Sequence, residues 1–477
     1  MKATAMKRFT ALILCAFALV SLTASAQHLR ETANPTPLDA YVAAPDDAFK
    51  YEILSTDERE KFTSIVVKMT SQRWLTEAEV DRPLWEHWMT ICVPKGVSAS
   101  TAFLYISGGK NEGDPPRGAG GVSRSIATGA GVVGVELNMV PNQPLVFADD
   151  NGRKRSEDSA IAYTWDKFMR TGDTKWPMRL PMTKSAVRAM DAVQEILAGL
   201  DTPIKIDDFI VAGGSKRGWT TWTTAMVDTR VKAIVPLVID MLNIIPSFRH
   251  HYAVYGFWAP AIDDYLEMDI MSRMETPEYA ALQKIVEPYH YLDRLTMPKF
   301  VVNAGSDQFF LPDSSQFYYA ELQGEKRLRY IPNVGHGLGG DVIDSVTAFV
   351  QANVDGTPLP AYDWTFPDAN TIRVTSEAAP KAVNLWQVTN EDARDFRLET
   401  VGTTWTSTEL KAEEDGSFTG AVEEPAKGWR AYMIELTYDM PGESDIKFTT
   451  PIRVSPDTTP HEYIPNPDPI KGFLTAE

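Results

Sequence analysis

The sequence predicts an α/β protein, a mostly parallel sheet flanked by helices and carrying a helical cap insertion, followed by a small all-β sandwich. Three observations predict it. Short apolar runs alternate with helix-compatible stretches from about residue 101 to residue 353. Two strand-like runs precede that alternation, which puts an antiparallel start on a parallel sheet. After Thr357-Pro358-Leu359-Pro360 the helical periodicity ends and strand-like runs separated by Asp, Gly, Pro and Asn take over.

The start of the chain bears on compartment. Lys2, Lys7 and Arg8 precede a short apolar run, and Ala24-Ser25-Ala26 follows it. That order is expected of a signal peptide over residues 1–26, cleaved after Ala26. The apolar run is too short for a stable membrane anchor, so a periplasmic or secreted protein is expected, with no membrane anchor after cleavage. Losing the three cations takes the net charge from −18 to −21. So acidic a chain argues against nucleic acid as a partner, because phosphate binding needs clustered Lys and Arg. Cys15 leaves with the signal, so Cys92 has no disulfide partner and the fold rests on its core. About 450 residues exceed one compact core, so two domains are expected.

Residues 27–47, rich in Pro, Ala and Thr, read as an arm or linker. Strands are expected over 63–69 and 85–93, then at "TAFLYISGG" (101–109). A small-residue helix over 121–128 leads to "GVVGVELNMV" (131–140). Residues 141–181 read as a long irregular segment. The helix over 184–197 repeats Ala186, Val187, Met190, Val193, Ile196 and Leu197 at helical spacing. The strand before Ser215, the helix after it and "VKAIVPLVI" (231–239) come next. An aromatic- and Met-rich helical insertion covers about 241–295. "KFVVNAGSD" (299–307), "KRLRYIPNVGH" (326–336) and a helix over 342–353 close the unit, which spans 48–356. The β-sandwich is expected over 365–456, with a proline-rich tail at 457–477.

This element order is that of the α/β-hydrolase fold, in which a nucleophile, an acid and a histidine follow successive strands. Ser215 stands in "GGSKRG", directly after one strand. Asp307 follows a later strand and His336 follows the last, between glycines. Serine needs a base to remove its proton, and the base needs a carboxylate to hold its tautomer. Asp240, at the end of the preceding strand, is an alternative acid. Either aspartate could equally serve as a turn or helix cap. Lys216 N–H and the loop carrying Gly108 and Gly109 are candidates for an oxyanion hole. The usual pattern G-x-S-x-G puts glycine where this chain has Arg217; Gly218 one residue later offers similar relief. Arg217 is a candidate for selecting anionic substrates, with Lys216 and Arg217 tied to aspartates of the body as the alternative, and Tyr252, Tyr255, Trp258, Tyr265, Tyr289 and Tyr291 of the insertion are candidates for roofing the substrate pocket. No clustered His/Asp set suggests a metal, and no cofactor is expected.

"SQRWLTEAEVDRPLWEHWMTI" (71–91), "RSEDSAIAYTWDKFMRTGD" (155–173), "WPMRLPMTKSAVRAMDAV" (176–193), "GGSKRGWTTW" (213–222), "NAGSDQFF" (303–310) and "PNVGHGL" (332–338) resemble the PhoPQ-activated pathogenicity-related family. The resemblance runs from about residue 51 into the C-terminal β region. It implies an exported bacterial protein with an α/β-hydrolase domain, similar in arrangement to serine peptidases of the dipeptidyl-peptidase type and to exported esterases. Carried over, Ser215, Asp307 and His336 are the triad, and a peptide or ester is the substrate. A hydrolase-fold binding or signalling protein with little turnover is the alternative, since fold does not guarantee activity.

Overall fold

The computed structural model describes residues 28–442 and 444–475; the expected signal peptide lies outside them. The first strands are β1 (Lys50–Glu58), β2 (Phe62–Arg73), β3 (Leu84–Pro94), β4 (Thr101–Ile106) and β5 (Val133–Leu137). A small hairpin, β6 (Leu145–Val146) and β7 (Lys154–Arg155), stands apart. Then come β8 (Asp208–Gly214), β9 (Val231–Leu237), β10 (Lys299–Ala304) and β11 (Lys326–Ile331). Nine of these form one sheet in the order β1-β2-β3-β5-β4-β8-β9-β10-β11. β1 to β3 and β5 pair antiparallel, and every pairing from β5 through β4 to β11 is parallel. This is the α/β-hydrolase arrangement expected from the sequence, with one more antiparallel strand, β1, than expected.

The sequence of the central strands follows from their position. β4, β8 and β10 lie inside the sheet with both faces covered, so nearly every residue is buried and the runs read as continuously apolar rather than alternating. The chain reverses its strand order between β4 and β8. Such a switch leaves a crevice beyond the carboxyl ends of the strands, where α/β proteins place their sites.

Helices α1 (Pro37–Ala43), α2 (Gly121–Ala130), α3 (Glu157–Thr171), α4 (Arg179–Ala198), α5 (Lys216–Val227) and α6 (Ile244–Tyr255) follow in order. They are joined by α7 (Asp263–Glu267), α8 (Pro277–Val286) and α9 (Val342–Asp355). Three differ from expectation. The segment 141–181 contains all of α3, and α4 begins at Arg179 rather than near 184. α3 is buried on most sides, from Ala160 to Met169, so it lacks the polar stripe that reveals a surface helix. Pro181 reads as a breaker, yet it lies in the first turn of α4, where no backbone N–H needs a partner. The arm at 27–47 also holds a helix. Thr36 and Asp39 cap α1 reciprocally, with Thr36 N donating to Asp39 Oδ2 at 2.8 Å.

Beyond α9 the chain builds two antiparallel sheets. Strands β12 (Tyr362–Asp368), β13 (Thr371–Ser376) and β16 (Phe418–Ala421) form one. The other contains β14 (Ala382–Asn390), β15 (Thr406–Glu409), β17 (Trp429–Tyr438), β18 (Ile446–Thr449) and β19 (Arg453–Ser455), and a short α10 (Leu398–Val401) follows β14. Ile372, Val374, Leu385, Ile434 and Phe448 share one apolar cluster with Phe300 of β10 and Phe349 of α9. The β region is thereby packed onto the sheet edge that carries β10 and β11. Cys92 is buried and free.

Candidate active site

The turn from β8 into α5 is built for close approach. Ser215 adopts φ +56°, ψ −123°, a conformation that non-glycine residues rarely hold and that collects at functional turns. Its N–H donates to Leu237 O at 2.8 Å, tying the turn to β9. A Cβ on Gly213 would stand 2.6 Å from Arg217 O, and one on Gly218 would stand 2.9 Å from Leu237 O and Ile239. Gly213 and Gly218 are therefore the two glycines that let helix and strand touch. The missing glycine at 217 is made good one residue later.

Asp307 and His336 are brought together by the loops after β10 and β11. His336 Nδ1 donates to Asp307 Oδ2 at 2.9 Å and lies 3.0 Å from Oδ1, while Phe309 N donates to Oδ1 at 2.7 Å. Gln308 Oε1 accepts from His336 N at 2.8 Å. Phe309 packs its ring 4.3 Å from the imidazole and Phe310 packs at 5.9 Å. Four consecutive residues thus orient one histidine. With Nδ1 committed to a carboxylate, the neutral ring keeps Nε2 as its acceptor, and that atom is buried without a protein partner. Ser215, Phe309 and Phe310 line one narrow cavity of about 30 Å³.

The alternative acid is placed elsewhere. Asp240 accepts from Tyr318 Oη at 2.6 Å and Tyr330 Oη at 2.5 Å, and His336 bonds to Asp307 instead. Burial pushes its carboxyl up to about 7.

The C-terminal β region buttresses the same loops. Trp405 Nε1 donates to Ser306 Oγ at 3.0 Å, Leu398 N donates to Ser306 O at 3.0 Å, and Trp405 and Asn333 exchange two hydrogen bonds.

Arg217 does not reach the cavity. Its guanidinium donates to both oxygens of Glu157, at 2.8 and 2.7 Å, and its Nε donates to Val140 O. Lys216 Nζ, also buried, pairs with Glu157 at 2.9 Å and Asp158 at 3.1 Å. Arg217 is thus committed within the fold, which corrects the expectation that it meets substrate. Gly108 is glycine because the Arg217 guanidinium crosses it, 2.7 Å from where a Cβ would sit, and Gly109 turns the chain at φ +130°. Neither lines the cavity. Lys216 N–H, at the first helical position of α5, has no intrahelical acceptor.

The insertion aromatics divide differently from expectation. Tyr252 and Trp258 line a separate, open pocket of about 250 Å³ with Tyr463. Tyr255 is buried against His251 and Phe257, under Arg397. Tyr265, one of the expected aromatics, does line the cavity, together with Trp165, Trp219, Phe248 and Tyr279. Sequence reasoning missed Glu157, Asp158, Arg179, Gln308 and the Phe309-Phe310 pair. All six lie inside stretches that carry the family resemblance, but a lone Glu or Phe has no spacing rule that would reveal its role.

Two sets of groups give stability a defined pH profile. Burial pushes His87 down to about 4 and His251 to about 3, so their contribution is full above the unfolded value near 6.5 and is lost as pH falls. Burial pushes Asp240 and Glu287 up to about 7, so each contributes more as pH falls from 7 toward the ordinary carboxylate range. The two pairs offset one another. Glu157 behaves oppositely to Asp240: burial alone would raise it, but Arg217 and Lys216 hold it down to about 2. Buried Asp313 is likewise held well below the carboxylate range, the charges of Arg394 and His250 outweighing desolvation. Both contributions are present above about pH 4 and are lost below it. Urea midpoints are expected to stay nearly level from pH 6.5 to 4.5 and to fall steeply below 4; a steady decline from pH 6.5 would show that the offset fails.

Residues 38–397 match the sequence profile described as PhoPQ-activated pathogenicity-related protein. The chain is 38% identical over 455 residues to Autocrine proliferation repressor protein A of Dictyostelium discoideum, a match covering 89% of this chain and 91% of that one. Among solved structures it is similar to an acetyl xylan esterase from Paenibacillus sp. R4, at 15% identity and a TM-score of 0.46, covering 70% of this chain and 99% of that one. It is also similar to a glucuronoyl esterase from Solibacter usitatus, at 12% identity and a TM-score of 0.38, covering 69% and 89%. Those structural likenesses say nothing about substrate. Among the described residues no helix is long and apolar enough to cross a membrane, and no group of three or more His, Cys, Asp or Glu is placed to hold a metal ion.

Proposed function

This chain belongs to the PhoPQ-activated pathogenicity-related family, and from that premise we propose that it is an exported serine hydrolase acting on a peptide or ester carbonyl. The observation that carries the reading is the pairing of His336 Nδ1 with Asp307 while Nε2 is left without a protein partner. Phe309 and Phe310, which pack on that imidazole, line one cavity with Ser215, a serine held on a strained strand-to-helix turn.

In the proposed reaction Ser215 Oγ attacks the carbonyl carbon as His336 Nε2 takes its proton. Asp307 holds the ring orientation and stabilises the imidazolium that forms. Lys216 N–H receives the developing oxyanion. The bond to the leaving group breaks, His336 returns the proton to it, and an acyl-enzyme remains. Water, deprotonated by His336, then releases the acid and restores Ser215. Apo geometry is commonly looser than the reacting complex, so the absence of a Ser215–His336 hydrogen bond is compatible with this step. Export to the periplasm or beyond is part of the proposal and rests on residues 1–26.

A second reading, a binding or signalling protein on a hydrolase fold, draws on the relative whose name describes proliferation repression. A panel of p-nitrophenyl esters with dipeptidyl and aminoacyl amides separates the two. Turnover that disappears in folded Ser215→Ala is expected. Folded wild type inert on the whole panel would favour the second reading.

A further inference from the structure

The cavity at Ser215 is apolar over most of its wall, yet three of the residues that line it carry hydrogen-bond donors with no partner among the described residues. They are Arg179 Nε, Trp165 Nε1 and Tyr279 Oη. Each residue is 2% exposed or less. The three are neighbours: Trp165 lies 6.1 Å from Trp219 and 6.5 Å from Tyr279, ring to ring, and the Arg179 guanidinium sits 4.5 Å over Trp219. Buried donors are normally matched, and three unmatched ones on residues that wall one space call for acceptor atoms.

Charge points the same way. Glu157 and Asp158 are balanced by Lys216 and Arg217, and Asp158 also accepts from Tyr265 Oη at 3.0 Å. Arg179 donates NH1 to Lys216 O at 2.8 Å but forms no ion pair with any carboxylate of the described residues. It is the one cation left over in this cluster. Burial lowers its guanidinium to about 10, so it stays charged at neutral pH. A buried cation without an anion is unfavourable until one arrives.

We infer that this cavity is a carboxylate subsite, and that the preferred substrates are esters or amides of short dicarboxylic acids whose free carboxylate reaches Arg179. The inference rests on Ser215 as nucleophile and names the substrate class of that same site. Ile239, Met241 and Phe248 would cover the methylenes between the two carbonyl carbons. Hydrolysis adds one water and yields the dicarboxylic acid and the alcohol or amine.

The test compares monoethyl succinate and monoethyl glutarate with their neutral isosteres, ethyl 4-oxopentanoate and ethyl 5-oxohexanoate. In wild type, kcat/KM is expected to favour the carboxylates by about tenfold or more, the value of one charge-assisted contact. In Ser215→Ala, calorimetry is expected to show the same preference in Kd, which tests the subsite without turnover. Arg179→Met should bring both ratios to near one. Tyr279→Phe, which removes only the hydroxyl, should reduce them several-fold and serves if Arg179→Met does not fold. No turnover of any ester combined with preferential binding of the monoesters would refute the hydrolase reading and leave the subsite standing. Ratios near one in both wild type and Ser215→Ala would overturn the subsite and leave a cavity that holds only water.

Discussion

Asp307→Asn is expected to lower kcat by about 10⁴-fold while leaving the protein folded. The amide keeps the shape of the carboxylate, but its NH2 group cannot accept from Nδ1–H. His336 then settles in the tautomer that places its proton on Nε2, where an acceptor is needed. The present geometry makes this a sharp test, because both Asp307 oxygens lie within 3.0 Å of Nδ1. Asp240→Asn supplies the contrast. Asp240 is bonded to two tyrosine hydroxyls rather than to the histidine, so its loss is expected to cost stability and to change kcat by less than about tenfold. A reversal of the two effects on kcat would move the acid to Asp240.

Arg217→Gly is expected to destabilise the protein and to lower activity on anionic and neutral substrates alike. The side chain is 12% exposed and its partner Glu157 is 40% exposed. Breaking a fully buried pair costs about 3–5 kcal/mol, so partial exposure of Glu157 brings the expectation to about 2–4 kcal/mol. Removing the guanidinium also leaves Val140 O without its donor and leaves Glu157 to Lys216 and Gln143 alone. Melting by calorimetry gives the stability. Kinetics on paired charged and neutral esters reads selectivity, and a loss confined to acidic substrates would restore Arg217 as a substrate contact.

Much of this molecule was legible in its sequence. Buried parallel strands leave continuous apolar runs, so β4, β8, β9 and β10 could be located within a residue or two, and with them the positions of Ser215, Asp307 and His336. The tight turn at Ser215 was legible despite Arg217, because Gly218 offered the needed relief. Other features left no such trace. α3 is buried on most sides and loses the stripe that marks a surface helix. Pro181 stands inside α4 and mimics a terminator. The pairing of Arg217 with Glu157 joins residues 60 positions apart, and no local pattern encodes it. The aromatics of the insertion were expected at the site as a group, yet Tyr252 and Trp258 face a different pocket. Helical spacing places a residue on a face, but it does not say what that face meets.

The central claim is that Ser215 is a nucleophile activated by His336, and labelling with a fluorophosphonate tests it most directly. Folded wild type should form a covalent adduct that peptide mass spectrometry places on Ser215. The adduct should be absent in Ser215→Ala and should form far more slowly in His336→Ala. A folded wild-type protein that stays unlabelled, or carries the adduct on another residue, would contradict it.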